Sequence, residues 1–387
     1  MNEDAMKTLT KEEKHRKAHP YWIYESVAMI PDILAQCSEE KVQSQIEHVV
    51  DEIKTRKIER IYLLGRGSSY FLTLGLRYLF EAVTDIPISC FVTNLFDAYP
   101  SQRIDARSAV FIHSTSGKSE GDKKIVEFAN GCGAYTVAVT DIEGTPLATT
   151  VDDVIMGPGG AKVELPATRT YASAMFRMAK CIFEIGKRQG NESQIAPLEK
   201  QLLAIPEILR DFMPAWEKQA ADIARAFKDA SAFFVVAYGP NYATADEGAL
   251  AFAQCAGVPG MSYELENYIH GPIQALTPEM GVVGIAPGGP LQDRMLRAMM
   301  ASKTIGAKTL IIAPEDADPM PYADIFMKMP AGIHDVLSPI VYMIPLWQIA
   351  YQFALLGKGG HPDRLMMDKP EFQKGFTFLM KKDKWVA

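Results

Sequence analysis

The strongest constraint on the fold is an alternation: short apolar runs, each closed by small residues, are separated by longer amphipathic stretches. In chain order, strands are expected at 60–65, 87–92, 108–113 and 134–140, with helices over 69–83 and 119–131 between them. After a long amphipathic stretch, 170–228, broken near Gln189-Gly190-Asn191 and at Pro206, the alternation restarts. SAFFVVAYGP (231–240) reads as a strand with a glycine turn, 242–256 as a helix, 281–287 as a strand, 290–304 as a helix and 307–314 as a strand. Apolar strands joined by helical crossovers imply parallel sheets covered on both faces. The fold class is therefore α/β, with two successive doubly wound units.

A weak internal repeat supports the count of two. LLGRGSSYFLTLGLRYLF (63–80) and VVAYGPNYATADEGALAFAQ (235–254) each place a glycine turn after an apolar strand. In both, a tyrosine follows three residues later, Tyr70 after Gly67 and Tyr242 after Gly239, and a small-residue helix lies behind it. Glycine turns also serve any strand-to-helix junction, so periodicity alone leaves duplication open. A chain of 387 residues that is 48% hydrophobic can bury a large core, and its length suits two domains. The expected boundaries are an N-terminal helical segment (1–45), a first unit (46–192), a second unit (193–357) and a C-terminal tail (358–387) lying over the active site.

Composition then excludes function classes. A formal charge of -7 disfavours a nucleic-acid binder built on phosphate neutralisation. The five cysteines, Cys37, Cys90, Cys132, Cys181 and Cys255, are widely spaced with no C-x-x-C pair, which fits neither a disulfide framework nor a zinc site. The first twenty residues are charged and lack an apolar h-region, and no stretch approaches the ~18 apolar residues of a membrane span. A cytoplasmic protein with no membrane or nucleic-acid partner is the expectation.

Two turns carry the chemistry: Gly65-Arg66-Gly67-Ser68-Ser69, and Ser114-Thr115-Ser116-Gly117-Lys118-Ser119. Each follows an apolar strand and opens a helix, with Ser119 at an N-cap position. In a parallel sheet such turns lie at the carboxyl edge, where ligands bind. Their amides, hydroxyls and helix N-termini suit an anion. The first turn lacks the third glycine of G-x-G-x-x-G, having Tyr70 there, and neither turn matches G-x-x-x-x-G-K-[ST]. Nucleotides are thus disfavoured. One such turn alone reads more readily as a simple cap and loop; two in one unit point to a phosphorylated small molecule.

These residues carry a family resemblance. STSGKS resembles the S-x-S-G-[ED]-[ST] phosphate loop of the sugar isomerase (SIS) domain family, and GRGSS looks like its G-[TS]-S turn. EGALAFAQ (247–254), with HGP at 270–272, resembles the second SIS domain of glucosamine-6-phosphate synthases and of fructoselysine-6-phosphate deglycases. The step from Glu247 to His270 matches the synthase pattern, and ELPATRTYAS (164–173) resembles its E-x-x-V-A-S-T-K-x-F-T segment, one residue shorter. The resemblance spans roughly residues 20–370. It implies that Ser69, Ser114, Thr115, Ser116 and Ser119 bind a sugar 6-phosphate, with Gly67, Ser68, Thr168 and Glu247 near the sugar. It also implies that His270 opens the ring as acid and base from the neighbouring subunit of a homodimer, a role that suits an imidazole.

The chain departs from the pattern at the catalytic carboxylate. Where the family's EGAL-x-x-x-E ends in the acid that moves a proton between C1 and C2, this chain has Gln254. An amide is no general base. Glu264 and Glu266 precede His270 and are the nearby acids that offer a replacement, while Asn267 stands where the family has an acid. GHPDRLMMDKPEF (360–372) resembles the tail that brings a lysine over the sugar, with Lys369 as candidate and the spacing one residue short. The synthase's glutaminase half needs an N-terminal cysteine, whereas this chain begins Met1-Asn2-Glu3. The expectation is a phosphosugar enzyme needing no metal or cofactor: a deglycase of an amino-acid-linked hexose 6-phosphate, or alternatively an isomerase or deaminase. A non-catalytic sugar-phosphate sensor, favoured by Gln254, is the second class.

Overall fold

A computed structural model describes residues 11–99, 101, 103–357, 361–364 and 369–380. Its first sheet contains β1 (Arg60–Gly65), β2 (Ile88–Val92), β3 (Ser108–His113), β4 (Tyr135–Thr140) and β5 (Asp153–Met156), in the order β2-β1-β3-β4-β5. The second contains β6 (Ala232–Ala237), β7 (Gly260–Glu264), β8 (Met280–Ile285), β9 (Lys308–Pro314) and β10 (Ile325–Met329), in the order β10-β9-β8-β6-β7. Both are parallel throughout, and the second repeats the first strand for strand. Leu63 of β1 pairs with Cys90 and Phe111, and Val235 of β6 pairs with Ser262 and Val283. The central strands β3 and β4 are buried at every position because helices cover both faces, which is why they read as unbroken apolar runs.

The helices that matter here are α1 (Glu40–Thr55), α2 (Ser68–Val83), α3 (Glu120–Gly131), α4 (Arg169–Arg188), α5 (Glu192–Ala226), α6 (Tyr242–Ala251), α7 (Gln292–Ile305), α8 (Ser338–Leu355) and α9 (Pro370–Met380). The two helices that follow the repeated glycine turns, α2 and α6, pack on each other. Gly75 permits the approach, since a Cβ there would lie 3.2 Å from the Ala243 Cβ and 3.3 Å from the Pro240 carbonyl oxygen. One apolar cluster runs through α2, α4, α5, α6 and α8 and joins the two units.

The predicted break at 189–191 is present, with Gly190 at φ +94° between α4 and α5. The predicted break at Pro206 is not: α5 runs 35 residues through Pro197, Pro206 and Pro214. A stripe of Ile195, Leu198, Leu202, Ile205, Leu209, Met213 and Trp216 is buried along it, largely against α8. Tertiary burial at helical spacing outweighs the missing amide bonds, each proline costing ~3 kcal/mol in an isolated helix. Among the described residues, no helix is long and apolar enough to cross a membrane.

Candidate functional site

The carboxyl edge of the first sheet is shaped by glycine. β1 ends at Gly65, where a Cβ would lie 2.1 Å from the Ser69 carbonyl oxygen, so the chain can fold back on itself only without a side chain. Gly67 follows at φ +51°, and α2 begins at Ser68. In the second turn Gly117 has φ +57°, and a Cβ there would meet Thr145 Oγ1 at 2.3 Å. α3 begins at Glu120 with Ser119 in the N-cap position, as expected, although its hydroxyl makes no capping hydrogen bond.

That hydroxyl instead accepts from Arg66 Nη1 at 2.7 Å, and Arg66 Nη1 also donates to Asn94 Oδ1 at 3.1 Å. Arg66 Nη2 donates to Asp122 Oδ1 at 2.7 Å, and Ser114 Oγ donates to Asp122 Oδ2 at 2.9 Å. Asp122 is buried; desolvation pushes its pKa up, opposed by the Arg66 charge and the Ser114 hydrogen bond. Arg66 thus ties the two serine-rich turns together. Sequence reasoning passed over it, yet its position inside GRGSS was the available signal.

The two turns close on a cavity of about 720 Å³. Gly67, Ser68, Ser69, Ser114, Thr115 and Ser116 line it, together with Arg66, Lys118 and His113. The opposite wall comes from two places. The loop before α4 supplies Lys162 and Glu164, and the second unit supplies Leu250 and Gln254. The cavity therefore depends on both halves of the chain. Backbone amides at two helix N-termini, several hydroxyls and nearby cations make its first-unit wall an anion cradle.

The remaining predicted residues sit elsewhere. Ser119 lies behind the wall, held by Arg66. Thr168 is fully buried at the start of α4, sharing a 2.5 Å hydrogen bond with the Ser26 hydroxyl. Glu247 is 2% exposed and lies beneath the cavity, close to Ser68 and Lys162. Glu264 caps the short helix Leu265–Ile269, accepting from the Glu266 amide at 2.8 Å. Glu266 pairs with Arg294 Nε at 2.8 Å, which holds its carboxyl below the ordinary range, and lies 3.6 Å from His270 Nε2. The His270 side chain is 75% exposed, and Lys369 is exposed just before α9. None of Glu264, Glu266, His270 and Lys369 lines the cavity.

Buried charges brace the site from below. Arg169 Nη1 meets Glu164 Oε1 at 2.8 Å, and Arg177 Nη2 meets Asp141 Oδ2 at 3.3 Å, all four side chains being buried. Arg177 also donates to the carbonyls of Thr140 and Ile155, fixing the ends of β4 and β5. His113 is buried, with Nδ1 3.2 Å from the Leu64 carbonyl oxygen; desolvation lowers its pKa to about 4, so the ring is neutral at physiological pH.

The comparisons with known proteins agree with this architecture. A model of the SIS domain matches residues 54–180 and 226–357. Glutamine--fructose-6-phosphate aminotransferase of Pyrococcus horikoshii is 28% identical over 308 residues, 80% of this chain and 50% of that protein. The corresponding aminotransferase of Methanothermobacter thermautotrophicus is 27% identical over 343 residues, 88% and 55% of the two chains. The chain thus spans about half the length of the curated relatives it matches. Among solved structures, the C-terminal domain of a glucosamine-fructose-6-phosphate aminotransferase from Francisella tularensis superimposes with a TM-score of 0.82 at 18% identity, covering 90% of this chain and 99% of that one. Tagatose-6-phosphate ketose/aldose isomerase from Escherichia coli gives 0.72 at 18% identity, covering 90% and 96%. With both of its α/β units matched by the same family model, the chain belongs to the SIS domain family.

Proposed function

We propose that this chain is an enzyme of phosphosugars, binding a hexose 6-phosphate by its phosphate at the Ser114–Ser119 turn and working on the carbonyl end of the opened sugar. The observation that carries the reading is the cavity in which two hydroxyl-rich turns and two helix N-termini converge. The names of the similar proteins, aminotransferases of fructose 6-phosphate and a ketose/aldose isomerase of tagatose 6-phosphate, support the same substrate class. The specific reaction we favour is deglycation of an amino-acid-linked hexose 6-phosphate through ring opening and an enediol or enaminol, releasing glucose 6-phosphate and an amine. Aldose–ketose isomerisation or deamination of an amino-sugar 6-phosphate uses the same apparatus. In this reading the chain works as a homodimer in which exposed His270 completes the neighbouring site.

A coupled assay tests it. Purified protein is incubated with 6-phosphorylated fructosamines carrying different amino acids, and glucose 6-phosphate release is followed in wild type and His270→Ala. Release that vanishes in the variant supports the deglycase. No release, with aldose–ketose interconversion of unsubstituted sugar phosphates, replaces it by the isomerase. A non-catalytic sensor is the second reading, favoured by Gln254 at the cavity wall, where an amide stands in place of a base. Tight binding of a hexose 6-phosphate without any turnover would establish it.

A further inference from the structure

Gln254 leaves the cavity without a base at the position where the family resemblance expects one, and another carboxyl is buried on the same helical stripe. Residues 247, 250 and 254 share one stripe of α6 and the helical turn that continues it, at helical spacing of three and four. Leu250 and Gln254 line the cavity, and Glu247 is the next position down that stripe. It lies near Ser68 from α2 and feels the charge of Lys162 from the loop before α4, both of which line the cavity.

Glu247 is 2% exposed; the Ser68 hydroxyl and the Trp347 indole N–H lie near enough to favour its charged form, yet its Oε2 makes no hydrogen bond of good geometry among the described residues, and neither does Trp347 Nε1. Leaving a buried acceptor unsatisfied costs ~1–3 kcal/mol, and such groups call for an explanation beyond packing. The orphan is not isolated. His113 Nε2, Thr170 Oγ1 and Tyr171 Oη are also buried without partners, and these three residues line a pocket beneath the cavity floor shared with Ser68 and Ser69. The other acids nearby are engaged: Asp246 accepts from the Ser262 hydroxyl, and Glu164 holds Arg169. Unsatisfied polar atoms gathered under one cavity mark the place where a polar ligand completes the bonding.

We propose that Glu247, resting on the phosphosugar reading above, is the carboxylate that moves the proton between C1 and C2 of the opened sugar. The Glu247 carboxylate removes the proton on C2 of the aldose form, the C–H electron pair becomes the C1–C2 double bond, and the carbonyl electrons move onto O1. The hydroxyl proton then passes from O2 to O1, and Glu247 returns its proton to C1, leaving the ketose with no atom gained or lost. Gln254 keeps the place of a sugar hydroxyl partner. Of the two orphaned basic groups, the carboxyl is the stronger: desolvation raises the Glu247 pKa to about 8, while that of His113 is lowered to about 4.

The groups facing Glu247 are Ser68 on α2, Lys162 before α4, Tyr171 on α4, Asp246 on its own helix and Trp347 on α8. Ser68, Trp347 and Lys162 oppose the rise, and Asp246 adds to it. Activity is therefore expected to climb as pH rises through about 8, when the carboxyl loses its proton.

The test is exchange in deuterium oxide, using fructose 6-phosphate, glucose 6-phosphate and 6-phosphorylated fructosamines as probes, with deuterium at C1 and C2 read by NMR. Wild type and Glu247→Gln are compared, with affinity for the same probes measured by calorimetry and folding by thermal unfolding. The expected result is a ~10²–10⁴-fold loss of exchange in the variant at near-unchanged affinity, with the rise near pH 8 abolished. Glu247→Asp keeps the carboxyl and is expected to retain part of the exchange with the basic rise intact, an outcome that a purely structural role does not give. Exchange that persists in Glu247→Gln at the wild-type rate overturns the assignment alone. Absence of exchange in the wild type with every probe overturns the enzymatic reading and this assignment with it.

Discussion

The two halves of the chain share one topology and differ at the edge where ligands bind. In the first, β1 and β3 run into Gly-Arg-Gly-Ser-Ser and Ser-Thr-Ser-Gly-Lys-Ser, and the cavity opens between them. In the second, β6 runs into Tyr238-Gly239-Pro240-Asn241 and β8 into Ala286-Pro287-Gly288-Gly289-Pro290, with no serine or threonine in either glycine-proline turn. That edge is closed by the protein's own groups. The Tyr238 hydroxyl donates to the Gly288 carbonyl at 2.6 Å, and Asn241 Nδ2 donates to the Ser338 hydroxyl at 2.6 Å. The second unit contributes α6 and its continuation, which carry Glu247, Leu250 and Gln254 to the first unit's site. One copy of the fold holds the anion cradle; the other supplies its opposite wall.

Breaking the cradle is expected to have the largest effect. Gly117→Val places a side chain at φ +57° against Thr145 Oγ1, so the second turn cannot keep its shape. Calorimetry with fructose 6-phosphate should show affinity falling by roughly a hundredfold or more, since several cradle hydrogen bonds of ~1.5–3 kcal/mol each are lost together. Gly288→Ala in the second unit should leave that affinity unchanged, and equal losses from the two would erase the distinction between the halves.

Next in size is the pH dependence set by Glu247. Its folded pKa of about 8 lies above the ~4.3 of an unfolded glutamate, so the unfolded chain releases its proton first. The stabilising contribution is complete below ~4.3 and is withdrawn as pH rises to about 8, a change on the order of a few kcal/mol. Urea unfolding at pH 6 and 9 should show wild type losing stability over that window and Glu247→Gln losing less. Parallel losses in both proteins would show that the carboxyl is not held neutral by burial.

Arg66→Leu removes the cation that joins the two turns and leaves buried Asp122 without its charge partner. Because Arg66 is itself one-third exposed, about 2 kcal/mol of destabilisation is expected by urea unfolding, less than for a fully buried pair. Asp122→Asn in the same background should recover part of it. Smallest is Tyr238→Phe, which deletes one neutral hydrogen bond of the closed second edge. About 1 kcal/mol in stability and no change in phosphosugar affinity are expected.

Much of the fold was legible because parallel strands buried on both faces are written as continuous apolar runs; 60–65 and 108–113 coincide with β1 and β3 to the residue. Of the edge strands, β2 was read at 87–92, but β5, β7 and β10 were not. β5 is four residues long, β7 begins at a glycine and is half-buried throughout, and β10 is only partly buried, so none carries the strong periodic signal of a central strand. Pro206 misled because the burial that carries α5 past it comes from a partner helix more than a hundred residues away in the chain. At the site, the hydroxyl turns were readable as turns. Arg66, Lys162 and His113 were not, because each acquires its role from contacts between elements far apart in sequence.

The central claim is one phosphosugar cradle per chain, built by the first unit and walled by the second. Calorimetric titration of fructose 6-phosphate into wild type and into Ser69→Ala/Ser116→Ala tests it most directly. One equivalent bound per chain in the wild type and loss of that binding in the double variant are expected. Two equivalents per chain, or binding that survives the double substitution, would contradict it.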